Sequence, residues 1–325
     1  MKAAVVRKWG AHSELQIESV ADPIPKDGEA LVELRAASLN WHDIAMRRTG
    51  RGFALPSILG MDGAGVRRDT GEEVVIYPGL AWGDREAGHD AGFGVVGDAD
   101  DGTYAELVAV PESSLYPKPS HLSWLEAAAL PCAGLTAYRA VFSRAALQRD
   151  ETVLVIGAGS GVSTFAVLFA VACGADVYVT SSTTEKIETV RSIGARGGVL
   201  YTDPDWPAAV RDITGGGADV IITGVGSELS DALSCAKTGG RIAVFGSRAG
   251  QSANFDVSSL YFRQVSILGT TLGSPDDFAR MLEFFTAHQL HPVVDRVYPL
   301  DEIAAAHAYL ESGGQFGKVV IDISA

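Results

Sequence analysis

A glycine-rich turn, Gly157-Ala158-Gly159-Ser160-Gly161-Val162-Ser163, lies between an apolar run and an apolar helix in the middle of the chain. Residues 152–156 (TVLVI) read as a buried strand, 164–173 (TFAVLFAVAC) as a helix stopped by Gly174, and 177–180 (VYVT) as the next strand. Strand, glycine turn, helix and strand in that order form a dinucleotide cradle. Glycines let the backbone approach a pyrophosphate, and the unpaired N–H groups and dipole at a helix start favour its negative charge. A GxG alone is weak; the βαβ pattern around it makes the signal strong. Strands expected at 198–201, 219–223, 241–245 and 266–268 alternate with helices, with Gly194 and Gly239 at helix ends, so this part reads as an α/β, doubly wound parallel sheet.

The first part is strand-rich, with strands expected at 2–7, 15–20, 30–37, 74–77 and 104–110, and turns at Asp22-Pro23 and Lys26-Asp27-Gly28. Residues 79–102 form a long Gly- and Asp-rich loop. Ser123 with Glu126 spells a capping box, and helical segments follow to about Leu147. Beyond the parallel sheet, 276–287 and 301–310 look helical and 318–323 is a final strand.

Composition narrows the function. The 325 residues allow two domains, and 47% hydrophobic residues are enough for real cores. No apolar run approaches the roughly 18 residues of a membrane span, and the start MKAAVVRKWG lacks a signal-peptide apolar region, so a cytoplasmic protein without membrane partners is expected. A net charge of −14 repels phosphate backbones and argues against nucleic acid. Cys132, Cys173 and Cys235 form no CxxC pair, so neither a disulfide framework nor a structural zinc ribbon is suggested.

The segment Thr180-Ser181-Ser182-Thr183-Thr184-Glu185-Lys186 bears on the choice of nucleotide. An NAD-preferring site places an acid at the end of the second strand for the ribose hydroxyls, and none stands there. Ser181 and Ser182 can donate to a 2′-phosphate and Lys186 can supply charge, which favours NADPH. The same serines suit helix capping, and Glu185 argues mildly the other way.

Together with 27–43 (DGEALVELRAASLNWHD), 55–65 (LPSILGMDGAG), 127–141 (AAALPCAGLTAYRAV), 152–166 and 315–321 (QFGKVVI), these residues resemble the medium-chain dehydrogenase/reductase superfamily, and within it the zinc-free quinone oxidoreductase-like branch. The resemblance covers essentially the whole chain. It implies a co-chaperonin (GroES)-like β-barrel domain from residues 1–118 and 274–325, with a Rossmann domain at 119–273 inserted and the active site in the cleft between them. It also implies a homodimer, the sixth strand of the nucleotide sheet pairing across a two-fold axis. Ser163 departs from the usual last glycine of the turn, and is small enough to keep the helix packed.

Zinc-dependent relatives carry a cysteine where this chain has Asn40, a histidine where it has Met61, an acid at Asp62 and a third ligand near Cys132. Asn and Met replace thiolate and imidazole poorly, so no metal is expected. The structural-zinc lobe of those relatives falls in 79–102, which holds no cysteine. Without a metal, simple alcohol oxidation loses its electrophile, but hydride addition to an enone or quinone remains feasible. The expectation is therefore NADPH-dependent reduction of a small electrophilic substrate. Alternatives are an enoyl-thioester reductase and a non-catalytic NADPH-binding scaffold or sensor.

The resemblance further implies Thr136 beside the nicotinamide, Gly159, Ser160, Gly161 and Val162 on the pyrophosphate, and Tyr201 flanking the adenosine. Gly224, Val225, Phe245 and Gly246 end the fourth and fifth strands, Leu268, Gly269 and Thr270 end the sixth, and Lys318 reaches the cofactor from the barrel side. Substrate-side candidates are Asn40, Asp43 and Met61, with Trp41, Tyr77 and Trp82 as possible walls. His42 is a possible proton donor or a structural histidine, Asp43 a catalytic acid or a cap, and Cys132 a packing residue or a pocket thiol.

Overall fold

The structure is a computed structural model that describes residues 1–248, 250 and 254–324. It divides into two units, Met1–Leu135 with Gly273–Ala325, and Thr136–Leu272. The first unit runs further than residue 118 because helix Trp124–Ala129 packs on strands Glu29–Ser38 and Asp62–Arg67 and on the last strand, Lys318–Asp322.

The first unit is built on a seven-stranded sheet and a three-stranded one. Strand Glu29–Ser38 is its axis. Its first six residues alternate half-buried and buried, as a strand with one wet face must. On one side it pairs with Asp62–Arg67, Ser38 opposite Asp62; on the other it pairs with Lys318–Asp322, Val320 opposite Ser38. These registers bring residues near 39, 62 and 318 together although they are far apart in sequence. Strand Leu107–Pro111 also pairs with Glu29–Ser38. Helix Trp41–Thr49 follows the axial strand directly and ends at Gly50 in the left-handed conformation.

The second unit is a six-stranded sheet in the order Gly197–Leu200, Asp176–Ser181, Thr152–Ile156, Ala218–Thr223, Ala236–Val244, Ser266–Gly269, all pairs parallel. In sequence order this is 3-2-1-4-5-6, the doubly wound arrangement. Val153, Leu154 and Val155 are fully buried and Ile156 nearly so. Burial of such side chains contributes roughly 1.5–3 kcal/mol each. Because every strand runs the same way, all their carboxyl ends lie on one edge. That edge carries Gly157–Gly161, Gly224-Val225, Phe245-Gly246 and Thr270.

Helix Gly161–Cys173 starts three residues earlier than its apolar run suggests. Ser160 is the cap, its Oγ accepting from the Ser163 N–H at 3.1 Å. Among the described residues, no helix is long and apolar enough to cross a membrane.

Buried inside the first unit, Arg47 donates from Nε to His307 Nδ1 at 3.3 Å and also bonds the Gly10 carbonyl and Glu311. An acceptor Nδ1 means that His307 is neutral. Burial, then the Arg47 charge, push its pKa down to about 3. Between pH 6.5 and 3 the unfolded chain therefore binds a proton that the folded chain refuses, so stability falls as pH drops below 6.5. Glutamine at 307 keeps an acceptor for Arg47 but does not titrate. Urea unfolding at pH 7, 5.5 and 4.5 is expected to show a shallower acid loss for His307→Gln than for the parent. Equal slopes would mean that His307 is already charged in the folded state.

Candidate active site

The first unit holds a buried polar cluster centred on Asp62, which is fully buried. Asp62 Oδ2 accepts from Ser38 Oγ (2.8 Å), Asn40 Nδ2 (2.9 Å) and Lys318 Nζ (3.0 Å), and Oδ1 accepts from the Cys132 N–H (2.8 Å). Lys318, only 2% exposed, also donates to the Leu39 carbonyl (2.9 Å) and to Asn40 Oδ1 (2.7 Å). An ammonium has three protons and no acceptor. All three are committed here, so Lys318 does not extend towards a cofactor; this corrects that expectation. The reason is the register, which buries its side chain beside a carboxylate that must be neutralised.

Lys318 also decides how Asn40 points. Because an ammonium only donates, the amide atom facing it is Oδ1, and Nδ2 faces Asp62. One Nδ2 proton goes to Asp62, leaving the second as a donor on a half-buried residue. Asn40 is the N-cap of helix Trp41–Thr49 and forms a capping box with Asp43. Asp43 closes the box, accepting from the Asn40 N–H at 2.7 Å, and also accepts from the Tyr104 hydroxyl at 2.8 Å. Asp43 is 2% exposed, and burial above all raises its pKa to about 6. It holds the helix that carries Asn40, the capping role that the sequence offered beside that of a catalytic acid.

Met61 is buried at 3% exposure beside Asp62. Tyr77 and Trp82 are buried to the same degree, at 3% exposure each. The Tyr77 hydroxyl bonds the Gly273 carbonyl and its ring packs on Tyr116 and Phe278, while Trp82 Nε1 bonds the Arg85 carbonyl. Sequence reading missed Tyr104, Ser38 and Asp98. Asp98 Oδ1 lies 2.6 Å from His42 Nε2. Strand register reveals only Ser38, which stands opposite Asp62, while Tyr104 and Asp98 lie outside the strands; Asn40 with Asp43 three residues on is itself a helix-start signal.

These donors do not fit a divalent ion. Zinc takes thiolate, imidazole and carboxylate. Here the positions offer an amide, a thioether, the single thiol of Cys132 and a carboxylate already paired with an ammonium, whose charge would repel the metal. Among the described residues, no group of three or more His, Cys, Asp or Glu is placed to hold one.

The second unit fits a dinucleotide. Gly157 and Gly159 have φ of 78° and 110°, a conformation that favours glycine, and a Cβ at Gly157 would meet nothing nearer than Val225 at 3.8 Å. Gly224 passes so close to the Phe245 ring that a Cβ would sit 2.5 Å from it. The Thr270 hydroxyl oxygen is buried without a partner, an orphaned donor at the end of the sixth strand. Gly269 accepts from Arg144 Nε at 3.0 Å, and Leu268 pairs with Ala243. Thr136 is buried on helix Pro131–Tyr138, which carries the chain from the first unit into the second.

Around the second strand, Ser181 is 1% exposed, its hydroxyl turned to the Ala158 carbonyl at 3.5 Å, so it is corrected as a phosphate reader. Thr183, not Ser181 or Ser182, caps the following helix. Ser182 and Lys186 are half-buried, and Tyr201 is 38% exposed with its N–H on the Ser181 carbonyl.

Comparison with known proteins agrees with both units. Residues 26–120 match the alcohol dehydrogenase GroES-like domain, and 161–287 match the zinc-binding dehydrogenase family. A zinc-type alcohol dehydrogenase-like protein, YogA, of Leptosphaeria maculans is 33% identical over 95% of this chain and 94% of its own. The chain belongs to the medium-chain dehydrogenase/reductase superfamily. Human quinone oxidoreductase is 29% identical over 99% of this chain and 97% of its own. The crystal structure of an NAD-dependent alcohol dehydrogenase superposes with a TM-score of 0.92 at 38% identity, covering 100% of both chains. This member of the superfamily is an oxidoreductase, with a GroES-like domain and a Rossmann-like parallel sheet. Zinc-type and quinone-reducing relatives both lie within reach, so the superfamily does not choose the electrophile; the Asp62 cluster bears on that choice.

Proposed function

We propose that the chain is an NADPH-dependent reductase of a quinone or an α,β-unsaturated carbonyl that works without zinc. The observation that carries this reading is the Asn40 amide, held by Lys318 so that one N–H remains to donate to a substrate oxygen. The cofactor supplies the hydride. A conjugated carbonyl spreads the developing charge by itself, so an oriented donor suffices where a simple ketone would call for a Lewis acid. Gly159–Val162 and Ser160 hold the pyrophosphate, Thr270 the nicotinamide amide, and Ser182 and Lys186 the 2′-phosphate. The likeness to human quinone oxidoreductase supports the acceptor class. The likeness to an NAD-dependent enzyme opposes the nucleotide preference and makes it the point to test.

Initial rates with a naphthoquinone, an aliphatic enone and crotonyl-CoA, each with NADPH and NADH, test the reading on protein assayed for metal. Turnover of quinone or enone is expected, with kcat/KM about tenfold higher for NADPH, a single charge-assisted contact contributing roughly 1.4 kcal/mol. Lys186→Glu is expected to erase that preference. Crotonyl-CoA as the best substrate would favour the thioester reductase, and tight NADPH binding without turnover would favour the scaffold. Stoichiometric zinc would overturn the metal-free reading.

We also propose a homodimer. Strand Ser266–Gly269 ends the parallel sheet, and the neighbouring helix Val257–Phe262 exposes Val257, Tyr261 and Phe262 by 62%, 68% and 80%. An unpaired strand edge beside exposed apolar residues is a pairing surface. Sedimentation at micromolar concentration is expected to give twice the monomer mass, and Phe262→Lys to lower it; a monomeric parent would remove the proposal.

A further inference from the structure

His42 is the second residue of helix Trp41–Thr49, two positions after Asn40. Its Nε2 lies 2.6 Å from Asp98 Oδ1, and the two side chains are 26% and 14% exposed. Asp98 is set in a turn, its N–H donating to the Val95 carbonyl at 3.2 Å. An ionised carboxylate only accepts, so Nε2 carries the proton facing Asp98 and Nδ1 is the exchangeable site. The charged groups that face the ring are Asp98, Asp43 and Arg51. Burial disfavours the imidazolium, yet the Asp98 bond and the two carboxylate charges outweigh it together with the opposing Arg51, and the pKa of His42 is raised. A partly open, carboxylate-backed imidazole at the start of the helix whose cap is the carbonyl-binding residue has the make-up of a general acid.

We propose that His42, positioned by Asp98, gives the proton that completes the reduction. The inference rests on the carbonyl-reduction reading and names the donor that reading lacks. Hydride, from the reduced nicotinamide dinucleotide, forms the new C–H bond at the β-carbon of an enone. The C=C π pair forms a new double bond from the α-carbon to the carbonyl carbon, and the C=O π pair moves onto oxygen, giving an enolate. The His42 Nδ1–H proton then passes to the α-carbon as the C=O bond re-forms, completing the addition of H⁻ and H⁺ across the C=C bond. Neutral His42 keeps Nε2–H on Asp98 and takes its next proton from water. In a quinone the same proton goes to the phenolate oxygen.

The test uses the parent, His42→Gln and Asp98→Asn, each checked for NADPH binding. NMR titration of the imidazole protons, without cofactor, is expected to place His42 above the ordinary histidine value and to lower it in Asp98→Asn. With an enone, the parent kcat is expected to fall as pH rises through the His42 titration. His42→Gln is expected to lose that limb and about 10²-fold in kcat with KM little changed, and Asp98→Asn to move the limb to lower pH. Parent-like kcat with the limb intact in His42→Gln, or an unmoved His42 titration in Asp98→Asn, overturns the inference alone. A parent that reduces neither enone nor quinone overturns the functional reading and this inference with it.

Discussion

Replacing Lys318 by methionine is expected to cost the first unit about 3–5 kcal/mol, the usual loss when one partner of a buried ion pair is removed. The argument is local. Asp62 is fully buried, and three of its four donors are neutral groups: Ser38, Asn40 and the Cys132 N–H. Among the described residues, only Lys318 brings a positive charge to that carboxylate, and methionine fills its space without one. The Asn40 Oδ1 and the Leu39 carbonyl also lose their donor. A drop in the urea midpoint with an unchanged slope would register the loss. The double variant Lys318→Met with Asp62→Asn removes the charge together with its counter-charge, and is expected to recover more than half of it. That non-additivity separates an electrostatic role from simple packing. A single variant that unfolds at the parent midpoint would mean that the Lys318–Asp62 pair contributes nothing to stability.

That lysine marks where the sequence stopped being legible. The glycine turn, the strand Thr152–Ile156 and the alternation that follows are local patterns, and local patterns survive without knowledge of partners. Strand Thr152–Ile156 matched residue for residue, because a β-branched apolar run bounded by a glycine turn leaves little freedom. Which way a long polar side chain turns depends instead on register between distant strands. Lys318 stands 278 residues from Asn40 and is read as a cofactor contact until Val320 is found opposite Ser38. Ser181 failed for a related reason. The second strand runs one residue beyond its apolar stretch, so alternation turns that serine inward and the cap falls to Thr183. Helix Trp41–Thr49 is short, with a charged last turn, and only its Asn–Asp start announced it. The residues of the cradle were legible as a motif; the Asp62 cluster was legible only as a list of departures from zinc ligands.

Asn40→Asp is expected to lower kcat/KM for an enone about 10²–10³-fold, the range seen when one pre-organised donor to a developing oxyanion is removed. The substitution keeps the volume and keeps an oxygen for Lys318, and aspartate starts a helix as well as asparagine does, so helix Trp41–Thr49 should be undisturbed. What changes is the nitrogen that donates to Asp62 Oδ2, 2.9 Å away, and that would meet the substrate oxygen, so the new carboxylate is set against both. An ionised carboxylate has no proton to give, and its charge opposes the enolate oxygen that forms. The loss should therefore lie mainly in kcat, since the missing contact strengthens as charge develops. Acidification supplies the control. Once protonated, the new carboxyl regains an O–H donor and sheds its charge, so the deficit relative to the parent should narrow at low pH. In Asn40→Ala, which has no group to protonate, the deficit should stay constant over the same range. Equal pH dependence in the two variants, or an Asn40→Asp enzyme as fast as the parent at neutral pH, would take the substrate oxygen away from Asn40 and, with it, the main support for metal-free carbonyl binding.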